Sequence, residues 1–335
     1  MTLPFAARWE VTSLRSTHGS FVEAAKVKPL TAQPDGDWWV ERPVPALPAR
    51  HVDRVRRRWW LASQLVSPVW PALLDAGEDG DVPWAVIESP GRRTDGTFPV
   101  ADPTLATKAL RWLALGVAEA EALLLLHCAS PHLSVTPAAV GTDDRGHFRL
   151  QLAALDATPD EGLVSTPHLW AWTPEQLTGQ PASARSNVFS LAWLLHVMLT
   201  GRSPYGDFSN GKSESHARDA LRPLVAAQQL KLSLPASHSK LEPVLRRALS
   251  ANAGQRFASS SAFAEALVPF SNATTPTRPP RRMELVTVPV PPLDPAYEVL
   301  PTRLEQQLLT ATDDAASWTE AAERLASVHS PRASA

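Results

Sequence analysis

The decapeptide PHLSVTPAAV, residues 131–140, has the outline of a catalytic loop, with His132, Pro137 and a closing Val140. Proton transfer or metal binding at such a loop calls for a carboxylate or another strong base or ligand. The residues between offer none: Ser134 is the most polar candidate, and a hydroxyl does not accept a proton at neutral pH as a carboxylate does. His132 stands in this stretch with no acid or base beside it. His127 and Cys128 are adjacent, and adjacent residues of a helix do not share a face, so they do not form a metal site. Farther along the chain, Asp156 and Asp160 are the candidate acidic ligands for a metal.

The whole chain has the composition of a globular protein. Of its 335 residues 44% are hydrophobic and 20% charged, enough apolar material for a sizeable core. A net charge of −2 gives no global attraction to nucleic acid or to an anionic membrane. A single cysteine, Cys128, excludes an internal disulfide and fits a reducing compartment. The start, MTLPFAARWEV, lacks a basic region followed by an apolar run, and the longest apolar stretch, FSLAWLLHVML, is too short to span a bilayer. A soluble, cytoplasmic protein is expected.

Elements change character along the chain. Residues 8–90 hold β-leaning pieces (RWEVTSL, DWWVERPV, PWAVIES) around one helical stripe, Val52, Val55, Trp59, Ala62 and Val66, bounded by Pro48 and Pro68. From about residue 104 helices dominate: LATKALRWLALGVAEAEALLLLHCA, the nearly all-apolar NVFSLAWLLHVMLTG, then LEPVLRRALS and SSSAFAEALVPF. A helix apolar on every side belongs at a domain centre. Residues 271–301 are proline-rich and aperiodic, and read as a linker, and 302–335 read as a short helical tail.

Two lobes in this order, with several motifs in register, resemble the protein kinase family over roughly residues 8–268. TPE at 173–175 is similar to the family's A-P-E, LLHVMLTGRSPY to its central helix and following loop, and RRALSANAGQRF to the segment that supplies an arginine to the A-P-E glutamate. The resemblance implies an α+β, two-lobed kinase-like fold: a small β-rich lobe at 8–90 and a larger helical lobe at 91–270, with Glu88 at the hinge. It also implies a structural pair between Glu175 and Arg256, with Asn187 bracing the loop at His132 where the family has an aspartate.

The positions that carry chemistry depart from the family. Against H-R-D-x-x-x-x-N, Ser134 replaces the catalytic aspartate and Ala139 the metal-binding asparagine, and D-F-G falls on Leu152, Ala153 and Ala154. Displacing D-F-G to Asp156 would need a four-residue insertion. STHGSFVEAAKV resembles the glycine-rich loop but keeps only Gly19, with Val22 at a glycine position. Glu41, or in a less favoured register Arg42, takes the place of the V-A-I-K lysine. No lysine occurs between Lys28 and Lys108, and the helix glutamate that should pair with that lysine becomes Arg58. The ion pair is therefore expected to be missing on both sides.

Phosphoryl transfer in this family rests on metal ions held by that aspartate and asparagine and on the lysine–glutamate pair. Their combined replacement implies a pseudokinase rather than an enzyme, without cofactor or metal, and with nucleotide binding not expected. Such a chain would serve bacterial signalling as a protein-binding or scaffolding module. The competing class is an atypical transferase that binds ATP in a non-standard way. RVRRRWW mixes basic and aromatic residues as nucleic-acid binders do, but on a helix its arginines face solvent. Along it Trp60 is turned about 100° from Trp59, beside Arg56 and Arg57, and is the candidate partner-binding residue.

Overall fold

A computed structural model describes residues 5–15, 22–30, 37–44, 47–89, 92–93, 103–127, 131–136, 139–143, 147–155, 172–206 and 214–271. Five strands, β1 (Trp9–Arg15), β2 (Val22–Pro29), β3 (Trp38–Pro43), β4 (Leu73–Asp79) and β5 (Val82–Glu88), form an antiparallel sheet in the order β1-β2-β3-β5-β4. Helix α1 (Ala49–Gln64) lies between β3 and β4 in the chain. It starts one residue after Pro48, three residues before the first residue of the stripe, and ends at Gln64, with Leu65 already extended. The stop thus precedes Pro68, because the backbone turns out of the helix before the proline forces it.

Alternation along β3 decides what the sheet offers to each side. Trp38 and Val40 enter one core with Phe5, Trp9, Ala25, Val27, Trp84 and Val86. Trp39 packs against the other and larger core, which also holds Val55 and Trp59 of α1, and Glu41 lies on the same face as Trp39. Strand β4, LLDAGED, carries no strong β signal. It is held by Asp75, whose carboxylate accepts from Trp9 Nε1 at 2.7 Å and pairs with Arg8 Nη2 at 2.6 Å.

The helices that follow are α2 (Pro103–His127), α3 (Pro174–Leu177), α4 (Ala184–Thr200), α5 (Glu214–Ala226), α6 (Glu242–Ala248), α7 (Ser260–Ala266) and α8 (Val268–Ser271). As its all-round apolar pattern requires, α4 is buried from Ser186 through Met198. It ends at Gly201, whose φ of 67° is a left-handed cap that suits glycine. A small sheet of β6 (Arg92–Arg93), β7 (Val140–Thr142) and β8 (Phe148–Leu150) completes the described structure.

The segment between α1 and β4 is sewn to α2 and β8. Glu119 accepts from the backbone N–H of Val66 at 2.7 Å and of Ser67 at 3.1 Å, and burial, opposed by these bonds, raises its pKa. Trp70 donates its indole N–H to the Gly116 carbonyl at 2.9 Å, and Leu150 N–H donates to Val69 O at 2.9 Å. A Cβ on Gly116 would stand 3.0 Å from the Val69 side chain, so glycine permits this approach. The larger core runs without a break from Leu73 and Ile87 of the sheet to Phe189, Trp193 and Phe263 of the helices. No helix among the described residues is long and apolar enough to cross a membrane.

Candidate functional site

Residues 131–136 and the turn at Leu152–Leu155 lie side by side. Ser134 N–H donates to Ala154 O at 2.9 Å, and Gln151 N–H donates to Ala139 O at 2.7 Å. Helix α1 packs against the same turn. The structure therefore brings Ser134, Ala139 and Leu152 together beneath α1. Ser134 is half-buried, and Ala139 and Leu152 are buried within the larger core. Methyl and isobutyl groups present no oxygen to a hard cation. A magnesium-bound triphosphate, which the family implies, does not fit these residues.

The lysine–glutamate pair is absent at these two positions, and Glu41 and Arg58 pair with each other in its place. Arg58 Nη2 lies 2.8 Å from Glu41 Oε2, and the two side chains are 2% and 13% exposed. Trp59 Nε1 donates to the same oxygen at 2.8 Å. Strand and helix are joined as they would be by a lysine and a glutamate, but with the charges exchanged. The signal was available in the sequence. Glu41 and Arg58 are both opposite in sign to the residues they replace, and a carboxylate opposite a guanidinium pairs as readily in either orientation.

The loop at 131–136 is braced from below. Asn187 Oδ1 accepts from Leu133 N–H at 2.8 Å, and its amide nitrogen donates to Pro131 O and to Glu121 Oε1, each at 2.8 Å. Glu121, fully buried on α2, also accepts from Ser260 Oγ at 2.6 Å. Burial pushes its pKa up to about 7, with the Ser260 and Asn187 hydrogen bonds opposing. Sequence reading passed over Glu121, which sits in an alanine- and leucine-rich helix with no motif around it. His132 is buried, and desolvation lowers its pKa to about 4, so the ring is neutral at pH 7.

Farther from the loop, Arg256 Nη1 lies 2.8 Å from Glu175 Oε1. The contact is an ion pair rather than an aligned hydrogen bond, because the guanidinium is also directed at backbone: Nε to Ser250 O at 2.7 Å, Nη1 to Arg185 O at 3.0 Å and Nη2 to Ala251 O at 3.3 Å. Burial lowers the Arg256 pKa, and the Glu175 carboxylate opposes that shift. Glu175 is placed by α3, where Thr173 and Gln176 form a reciprocal capping box.

Glu88 at the end of β5 pairs with Arg149 Nη1 of β8 at 2.9 Å, and Arg149 Nε lies 3.6 Å from Asp143. This buried guanidinium, which the sequence did not single out, ties the end of the sheet to the small second sheet. On α1, Arg56 pairs with Glu78 of β4 at 2.6 Å and with Asp53 at 3.7 Å, and Arg57 is half-buried. Trp60 is half-buried against the larger core, where a polar face was expected. A helix packed over both a sheet and a turn is covered on more than its narrow stripe, so the next residue round is partly enclosed. Gly19, Pro137, Asp156, Asp160 and the stretch 272–335 lie outside the described residues.

No family model matches the chain. It is 32% identical over 124 residues to Serine/threonine-protein kinase Pkn1 of Myxococcus xanthus, which is 37% of this chain and 17% of that protein. It is 24% identical over 243 residues to Probable serine/threonine-protein kinase PknB of Bifidobacterium longum, 67% of this chain and 34% of that one. The chain thus spans about a third or less of either relative's length. This weak homology to bacterial serine/threonine kinases supports a place in the protein kinase superfamily. An α+β architecture with a five-stranded antiparallel sheet and several helices is compatible with that fold. The expectation that the chain is not an enzyme is corrected by the same relatives. Both are named as serine/threonine kinases, and such kinases are enzymes. The replaced positions describe how this cleft differs from the family's and do not by themselves make the chain a non-enzyme.

Proposed function

We propose that this kinase-like chain serves bacterial signalling as a regulatory module that acts by binding protein, with a cleft that does not take up Mg·ATP through the family's contacts. The observation that carries the reading is the burial of Ala139 and Leu152 in the apolar core, at the two positions from which the family holds its metal ions. Glu41, already paired with Arg58, offers no cation where a phosphate would look for a lysine. Calorimetric titration of the full chain with ATP, with and without magnesium, tests it. No saturable heat is expected up to millimolar nucleotide. A magnesium-dependent dissociation constant in the micromolar range would overturn the reading.

The kinase names of both relatives favour a second reading, an atypical transferase that holds ATP in a non-standard way. It predicts transfer of labelled phosphate or nucleotide from ATP onto protein that survives Glu41→Gln. Absence of label above a sample without the chain would overturn this second reading.

A further inference from the structure

Trp59 and Arg58 are consecutive residues of α1, and successive helical side chains leave the axis about 100° apart. Here both reach back to one atom, Glu41 Oε2, each at 2.8 Å. Strand alternation has turned that carboxylate away from the Trp38 and Val40 core and toward the helix. The contact is enclosed, with the Arg58 side chain 2% exposed and Trp59 packed in the larger core. An ion pair that water scarcely reaches is screened little by salt.

We propose that Glu41, Arg58 and Trp59 form a latch that holds α1 against β3 without help from any nucleotide. Helix α1 would then keep one position whether or not ATP is present. With a lysine on the strand, the cation is shared between the helix carboxylate and the phosphates, so ligand and helix position are coupled. With a carboxylate on the strand, already engaged by two donors of the helix, a triphosphate has nothing to share. A ligand that makes no differential contact with the held and released helix shifts nothing between them. The proposal rests on the reading of the cleft given above.

Hydrogen exchange of the full chain, followed on peptides from residues 49–64 with those from 184–200 as internal reference, tests the latch. Glu41→Gln and Arg58→Met are each expected to speed α1 exchange by about tenfold while leaving α4 unchanged. The double variant should exchange no faster than the faster single one, because both remove the same contact. Millimolar ATP, with or without magnesium, should leave the wild-type α1 rate unchanged.

Wild-type exchange in Glu41→Gln, or factors that multiply in the double variant, would overturn the latch. Slowing of wild-type α1 exchange by ATP would overturn it too. If Glu41→Gln speeds α4 as well, the fold has been lost globally. Trp59→Phe, which removes the indole N–H together with part of the ring, then carries the test, with faster α1 exchange at an unchanged α4 rate expected and an unchanged α1 rate counting against the latch. ATP that binds by calorimetry yet leaves α1 unmoved would defeat the reading of the cleft and spare the latch. A loose α1 in the wild type with no ATP binding would do the reverse.

Discussion

Glu175–Arg256 and Glu41–Arg58 are both carboxylate–guanidinium pairs at 2.8 Å with their arginines almost out of solvent. Their surroundings differ. Arg256 is held by three backbone carbonyls and faces the Phe189 ring 4.9 Å away, so the pair is embedded in main chain. Glu41–Arg58 joins a strand to a helix through side chains. The first pair keeps the polarity the kinase resemblance implies, and the second has exchanged it. An ion pair set in backbone tolerates no exchange, because carbonyls accept from a guanidinium and repel a carboxylate. One made between two side chains can reverse its sign and keep its geometry.

The comparison breaks most visibly at Glu175. Glu175→Ala leaves a buried guanidinium without its anion and should cost on the order of 3–5 kcal/mol, read by urea unfolding. A loss below about 1 kcal/mol would mean that the three carbonyls alone suffice for Arg256.

Glu121 sharpens it, as a buried carboxylate whose partners among the described residues are Asn187 and Ser260 rather than an arginine. Its folded pKa of about 7 exceeds the ordinary value of 4.5, so its contribution is complete below that value and fades as pH rises through 7. His132 runs the other way: with a folded pKa of about 4 against 6.5, it favours folding above 6.5 and loses that effect on acidification. Over the shared window the two oppose each other. Glu121→Gln removes one of them, so the stability lost relative to wild type should grow as pH falls from 7 to 4.5. A constant difference across that range would show that Glu121 does not titrate there.

Smaller effects are expected on α1. Trp60→Ala should cost about 1–2 kcal/mol, less than the 3–5 typical of a fully enclosed tryptophan such as Trp59. Equal losses from the two substitutions would place Trp60 in the core and remove it as a docking candidate. The smallest belongs to the exposed Glu242–Arg246 pair, 2.7 Å apart on successive turns of α6. Glu242→Ala should change stability by no more than about 0.5 kcal/mol, and a larger loss would show that exposed pairs in this chain are not the weak contacts assumed.

Much of the fold could be read in advance where a local rule speaks. The apolar stripe placed α1 to within three residues, and the unbroken apolar run of α4 announced its burial. Alternation in DWWVERPV contained the key fact about β3, that Glu41 faces the helix, but only once the strand had a partner on that side. What stayed hidden depended on long-range neighbours. Asp75 makes β4 legible only through Arg8 and Trp9, 66 residues away in the case of the tryptophan. Glu121 has meaning only beside Asn187 and Ser260, the latter 139 residues on. The charge exchange at 41 and 58 was visible as two separate substitutions. Taking each as a loss concealed that together they restore a contact.

The stitching of residues 66–70 to α2 and β8 bears on how the molecule comes apart. The Glu119 carboxylate, the Trp70 indole and the Val69 carbonyl join residues 66–70 to α2 and β8, and these bonds lie across the core shared by both. Pulling the sheet away would strand those groups and open the apolar seam in the same step, so neither half has an intermediate to rest in. Melting should be a single cooperative event, with tryptophan fluorescence and helical ellipticity falling together.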